Sequence, residues 1–257
     1  MSDIIVKGRW MQMCNFTHGR QLKHGQQLYR SRKFLIPLLG YNGSGKGTNA
    51  NAAQKAFEGR ALCFTMSEEL SDAKKRNPEL KELFEKHMQA GTLVPDGPVM
   101  DVAFEAWERL FKKYDIIFSD GNPRTPKQWE MLRNWADEHD ILIPGAIHVD
   151  LEKEIILSRL EVRRICPECG ADYTAGRDSY KPAKKEGFCD IDGAELTRRA
   201  DDNPEKAKRR MNDFDKLFPL IKEGMEQDHV TVHTVYNGNP QEARPLFVKI
   251  VKQMIGE

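Results

Sequence analysis

The stretch KFLIPLLGYNGSGKGTNAN, Lys33 to Asn51, decides the fold. An apolar run, Phe34 to Leu39, stops at Gly40. Gly43, Gly45 and Gly47 follow, with Ser44 and Lys46 between them and Thr48 after. The residues beyond, NAAQKAFEG, suit a helix. Strand, glycine loop, lysine and helix in this order make a phosphate cradle. Glycine lets the backbone bend so that several N–H groups point into one concavity. The helix turns its positive end to the same spot, and Lys46 adds a full charge.

Working outward, the totals narrow the class. The chain has 257 residues, enough for one large core with inserts. With 31% charged and 39% hydrophobic residues it reads as globular, not disordered. A formal net charge of +1 gives no global attraction for nucleic acid or an acidic membrane. No apolar run approaches the roughly 18 residues of a membrane span. Residues 1–32 precede the first strand and carry charge throughout, with no apolar signal-peptide region, so a cytoplasmic location is expected. These residues read as an extension, either draped on the surface or serving a partner, an oligomer or the substrate.

Downstream, Ala61 to Thr65 is a second apolar run. Residues 66–96 read as two helices broken at Asn77-Pro78, and 99–113 as an amphipathic helix. Ile116 to Phe118 form a buried strand that ends in Asp120, where a carboxylate beside a phosphate loop can hold magnesium or its water. A helix over 126–139 carries Trp129, Leu132, Trp135 and Ala136 on one face. A strand over 141–149 and a helix over 151–164 come next. That helix would place Arg159 and Arg163, four apart, on one face. A long helix to about Glu226, a strand over 230–235 and a closing helix over 241–255 complete the chain.

Five cysteines are present, and three of them cluster. Cys166 and Cys169 form a C-x2-C knuckle, and Cys189 with Asp192 a C-x2-D knuckle. Two facing knuckles make a tetrahedral zinc site of three thiolates and one carboxylate. The competing reading, a redox-active C-x2-C pair, lacks a thioredoxin-like context.

Taken together these motifs resemble the nucleoside monophosphate kinases, adenylate kinases above all. The resemblance rests on G-x-x-G-x-G-K-G-T at Gly40 to Thr48 and on QAGTLVPDGPV before the third helix. It rests also on Asp120-Gly121-Asn122-Pro123-Arg124-Thr125 with Gln128, the paired knuckles, and Arg199, Asp201, Asp202 and Arg210. It implies an α/β P-loop kinase with a central parallel five-stranded sheet, a helical acceptor-binding insert and a zinc-bearing lid. The core would be 33–65, 97–161 and 201–257, the insert 66–96 and the lid 162–200.

The resemblance implies transfer of the terminal phosphoryl of Mg-ATP to AMP by a monomer. ATP would be held by Gly43, Ser44, Gly45, Lys46, Gly47, Thr48, Arg159, Arg163 and Tyr173. AMP would be held by Thr65, Met66, Leu93, Val94, Gly121, Arg124, Gln128, Arg199 and Arg210. Lys46, Arg124, Arg163, Arg199, Arg210 and Asp120 would act in catalysis, and Cys166, Cys169, Cys189 and Asp192 would bind structural zinc. Asn237 and Asn239 would present backbone groups to adenine.

Departures from the family pattern are Asn42 for Pro, Met66-Ser67-Glu68 in the second-strand motif, Ser71 for an acceptor-side Arg, Asn122 for Phe and Thr174 for a common His. They leave open a kinase for another monophosphate, or a nucleotide-binding module without turnover.

Overall fold

A computed structural model describes residues 32–90, 94–176, 182–198 and 203–257. The extension up to Ser31, Leu93, Arg199, Asp201 and Asp202 lie outside the described residues.

In chain order the elements are β1 (Phe34–Leu39), α1 (Lys46–Ala56), β2 (Ala61–Thr65), α2 (Met66–Arg76), α3 (Pro78–Ala90), α4 (Asp96–Leu110), β3 (Ile116–Asp120) and α5 (Pro126–Glu138). They continue with β4 (Ala146–Asp150), α6 (Lys153–Val162), β5 (Arg163–Ile165), β6 (Asp172–Thr174), α7 (Pro204–Gln227), β7 (Val232–Tyr236) and α8 (Pro240–Ile255). Five strands form one parallel sheet in the order β2-β3-β1-β4-β7. The small antiparallel pair β5–β6 lies in the segment between α6 and α7.

Alternation along the strands builds a core on each face. Phe34, Ile36 and Leu38 of β1 join Ile116 and Phe118 of β3 against α1 and α8. Leu35, Leu39 and Ile117 point the other way, against α4, α5 and α7. A strand with helices on both faces must be apolar throughout, and all six residues of β1 are buried. Each large side chain taken fully from water contributes roughly 1.5–3 kcal/mol. Trp107, Phe118 and Phe247 are therefore leading contributors.

Four helices start at a polar residue followed by proline. Asn77 accepts from the Glu79 amide at 2.9 Å, Thr125 from Gln128 at 3.0 Å, Asn203 from Glu205 at 2.8 Å and Asn239 from Gln241 at 3.1 Å. The side chain satisfies an orphan amide, and proline supplies a preset φ where no N–H is needed.

Two boundaries differ from the expectation. The strand predicted over 141–149 is confined to Ala146–Asp150; before Pro144-Gly145 only Leu142 bridges to Phe34. The helix predicted over 151–164 ends at Val162, because Arg163 to Ile165 pair with Asp172 to Thr174 instead. Arg163 therefore does not share a helix face with Arg159. No described helix is long and apolar enough to cross a membrane.

Candidate active site and metal centre

At the carboxyl end of β1 the chain turns through Gly40, Gly43 and Gly45, with φ of 132°, 89° and 96°. A side chain at Gly40 would put its Cβ 2.4 Å from the Val149 carbonyl oxygen. At Gly45 it would lie 2.1 Å from Asn237 Nδ2. Only glycine meets both demands, of backbone angle and of space. Gly40→Ala is accordingly expected to destabilise the protein by about 2–4 kcal/mol, from strain and overpacking together. A denaturant titration showing an unchanged midpoint would contradict that crowding.

Lys46 opens α1 and is buried to 6% exposure. Its ammonium donates to the Gly40 carbonyl at 3.0 Å and the Tyr41 carbonyl at 2.9 Å, and lies 3.4 Å from Asp120 Oδ1. Asp120 reaches this position because β3 lies beside β1, with Leu38 level with Asp120. A Cβ on Gly47 would come 3.9 Å from the other Asp120 oxygen, so loop and carboxylate share one small volume. Thr48, in the first turn of α1, is exposed. A strand-end carboxylate beside a phosphate loop suits magnesium, which keeps waters and takes one or two protein oxygens plus phosphates.

The same strand end builds a second cleft wall. Gly121 has φ of 108°, and a Cβ there would meet Met66 Cβ at 2.9 Å. Arg124 Nε donates to the Gly121 carbonyl at 2.9 Å, and the Arg124 amide donates to Gln128 Oε1 at 2.7 Å. Gln128 Nε2 donates to Asp96 Oδ1 at 2.9 Å, as does the Thr125 hydroxyl at 3.0 Å. Asp96 thus joins the start of α4 to the start of α5. Thr65 is level with Asp120 across β2–β3 and Met66 is buried, while Val94 packs against the same core.

Asn122, at the family's Phe position, is buried. It accepts a hydrogen bond from the Ser119 hydroxyl and points its amide at the sulfurs of Met66 and Met100, 3.8 and 3.9 Å away. The polar replacement is therefore buried and partnered within the protein.

Arg159 on α6, Arg163 at the start of β5 and Arg210 on α7 are half-buried and each already interacts with neighbours. Asn237, expected to present backbone groups to adenine, also uses its side chain. Its side chain is buried and donates to the Ser44 carbonyl at 2.6 Å, while its amide bonds Asp150 O at 2.9 Å. It ties the loop after β7 to the phosphate loop. Asn239 caps α8, its side chain accepting from the Gln241 amide.

The two knuckles fold alike. The Cys166 amide donates to Ala171 O at 2.9 Å and the Cys189 amide to Ala194 O at 2.8 Å. Gly170 and Gly193 each donate to the carbonyl of the knuckle's first cysteine at 3.0 Å. CPECGA and CDIDGA are thus one turn used twice. It brings one ligand atom each of Cys166, Cys169, Cys189 and Asp192 within 4.8 Å of one another. Cys169 Sγ and Cys189 Sγ are 3.5 Å apart, and Cys166 Sγ lies 3.3 Å from Asp192 Oδ2. Tetrahedral zinc with bonds of about 2.3 Å to sulfur needs sulfurs roughly 3.8 Å apart, so the donor set fits it closely. The Ala194 amide and the facing thiols hold the Asp192 carboxyl down to about 2, ionised and ready to ligate.

The resemblance gave Tyr173 to the donor nucleotide. In the structure its side chain packs into the small core around the knuckles at 6% exposure, with Oη 3.4 Å from Cys189 Sγ and accepting from the Asp190 amide at 2.8 Å. It braces the second knuckle. Cys63 is a different kind of cysteine: burial pushes its thiol up to about 12, which leaves it unreactive.

A parallel sheet with a glycine loop, a buried lysine and a strand-end aspartate at its carboxyl edge defines a P-loop enzyme of phosphoryl transfer. A family model described as Adenylate kinase matches residues 38–235. A curated relative named Adenylate kinase from Staphylococcus aureus is 36% identical over 177 residues, 69% of this chain and 80% of the relative. One of the same name from Thermococcus kodakarensis is 32% identical over 189 residues, 73% and 80% of the two chains. A third, from Lachnoclostridium phytofermentans, is 36% identical over 188 residues, 72% and 83%. The chain belongs to the adenylate kinase family.

Proposed function

We propose that this enzyme moves the terminal phosphoryl group of Mg-ATP onto AMP, reversibly, giving two ADP, with the residues named above in the following roles. The carrying observation is that one strand end, β3, supplies both sides of the reaction. Asp120 meets Lys46 at the phosphate loop, and four residues on Arg124 begins the opposite wall with Gln128.

Gly43, Ser44, Gly45, Gly47 and Thr48 cradle the donor phosphates, with Arg159 and Arg163 over the donor from the lid side. Thr65, Met66, Leu93, Val94, Gly121 and Gln128 receive AMP. A monophosphate oxygen is already an anionic nucleophile, so no general base is required. The work is alignment and charge neutralisation along an in-line path. Lys46, Arg124, Arg163, Arg199 and Arg210 converge positive charge on the transferring group. Magnesium, when bound with ATP, neutralises the outer phosphates, and Asp120 and Thr48 are the residues that would hold it through water or directly.

Residues 33–65, 97–161 and 201–257 serve as core. The insert, 66–96, and the lid, 162–200, act as covers that exclude water and so prevent loss of ATP to hydrolysis. The lid zinc is structural, because its four ligands leave no open position. We further place the enzyme in the cytoplasm as a monomer acting on free nucleotides. A net charge of +1 supports the absence of a nucleic-acid or membrane partner.

Ser71, where the family has an acceptor-side arginine, makes the acceptor the point to test. Purified protein with Mg-ATP and a panel of monophosphates should form ADP with AMP far faster than with GMP, CMP or UMP. A faster rate with any other member of the panel overturns AMP as the acceptor. Binding of ATP with no transfer to any of them overturns turnover itself.

A further inference from the structure

The phosphate loop carries a tie that the roles above do not use. The Tyr41 hydroxyl, directly after Gly40, donates to Asp215 Oδ1 on α7. Lys153, the first residue of α6, holds the other Asp215 oxygen. The Lys153 ammonium also stands 5.7 Å over the Tyr41 ring, which packs against Phe214 at 4.8 Å between centroids. Burial and the bond to Asp215 push the phenol up, so it remains a donor through neutral pH.

The backbone of the same residue shapes the site. The Tyr41 carbonyl accepts from Lys46 Nζ at 2.9 Å and from the Ser44 amide at 3.1 Å. A loop with three glycines in the left-handed region has little stiffness of its own. Asn42 cannot lock φ as a proline would. Its shape must come from contacts outside it, and Tyr41 provides one from each of the two helices that flank the lid segment, α6 before β5 and α7 after the second knuckle.

We propose that Tyr41 and Asp215 are positioning residues: their brace to α6 and α7 sets the Tyr41 carbonyl and thereby the aim of Lys46 at the donor phosphates. This rests on the reading of Lys46 as the phosphate-binding lysine. The brace also fixes α7 beside the loop, and Arg210 lies five residues upstream, about 7.5 Å along the same helix. Because the Asp215 and Lys153 side chains are 37% and 42% exposed, the bonds themselves are modest. The effect comes through geometry, where displacement on the order of 1 Å can cost up to about a hundredfold.

The test is full kinetics on Tyr41→Phe, Asp215→Ala, the double variant and Asp215→Asn, with Lys46→Met as control. Tyr41→Phe and Asp215→Ala should each raise KM for ATP by about 3–10-fold and lower kcat by a similar factor. KM for AMP should stay within about twofold, and the double variant should be no worse than either single one, because both cut the same tie. Asp215→Asn keeps an acceptor oxygen for the phenol and should recover most of the loss. Unchanged ATP kinetics in both single variants, with Lys46→Met inactive, overturns the brace and leaves the lysine reading standing. A rise in both KM values together with a lower melting temperature also overturns it, since that is a general loss of stability. An active Lys46→Met protein removes the reading on which the brace rests.

Discussion

Lys46→Met is expected to lower kcat by a factor on the order of 10³ or more while the protein stays folded. Methionine keeps the length and apolar stem of the side chain, so the packing at the start of α1 survives. The charge is lost, and with it the contacts to the Gly40 and Tyr41 carbonyls and to Asp120. Those two carbonyls belong to a loop next to solvent and can be rehydrated when substrate is absent. The cost to stability is therefore about 1–2 kcal/mol, or a few degrees in Tm for a chain of this size. In the transition state no water can replace an ammonium aimed at the transferring group, so the kinetic loss is far larger than the structural one. Circular dichroism and a coupled assay of ADP formation measure the two sides. Turnover near that of the parent enzyme would remove Lys46 from the chemistry.

The second large effect concerns metal. Purified protein is expected to hold one zinc per chain, and Cys189→Ser or prolonged chelation should unfold the lid while the core keeps its cooperative melt. Among the described residues of this segment the apolar support is slight: Cys166, Tyr173 and Cys189 are buried, with Ala171, Ala183, Ala194 and Leu196 around them. So small a cluster cannot offset the entropy of ordering the segment. Structural zinc in small peptides is worth on the order of 10–16 kcal/mol, ample to make up the deficit. Three ligand thiols left without metal would also stand close together, with Cys169 and Cys189 already 3.5 Å apart between sulfurs. The readouts are metal analysis, limited proteolysis within 163–198 and transfer activity, which should fall because the lid arginines lose their frame. Asp192→Cys should keep the metal and Asp192→Ala should weaken it. A metal-free protein with a protease-resistant lid and full activity would overturn the centre.

Much of this enzyme could be read before any coordinates. The phosphate loop, Asp120 at its strand end and the two knuckles each depend on residues close in sequence, where spacing alone determines what can meet. The cap-and-proline pairs at Asn77, Thr125, Asn203 and Asn239 are local in the same way, and they mark four helix starts within a residue or two. The run Phe34 to Leu39 is apolar on both faces, which already implies a strand covered on both sides.

Other features had no local signal. Arg163 follows a helical pattern, yet it leaves the helix because the lid strand β6 offers it a partner. Tyr173 matches a family position but turns inward, since the knuckle beside it needs an acceptor for the Asp190 amide. Asn122 reads as a break in a motif, and only the packing of Ser119, Met66 and Met100 around it explains how a buried amide is tolerated there.

The amino-acid order by itself determined the short-range chemistry: a glycine loop that can bend, a lysine at a helix start, thiols and a carboxylate at chelating distance along the chain. Tertiary structure decided how that chemistry is held. The Tyr41 hydroxyl and Asp215 are 174 residues apart and the Asn237 amide and Ser44 are 193 apart, and no pattern in the chain pairs them. Such pairs form only when the sheet order brings the ends of β1, β4 and β7 together, because a side chain a few ångströms long can choose a distant partner only after the backbone has delivered it.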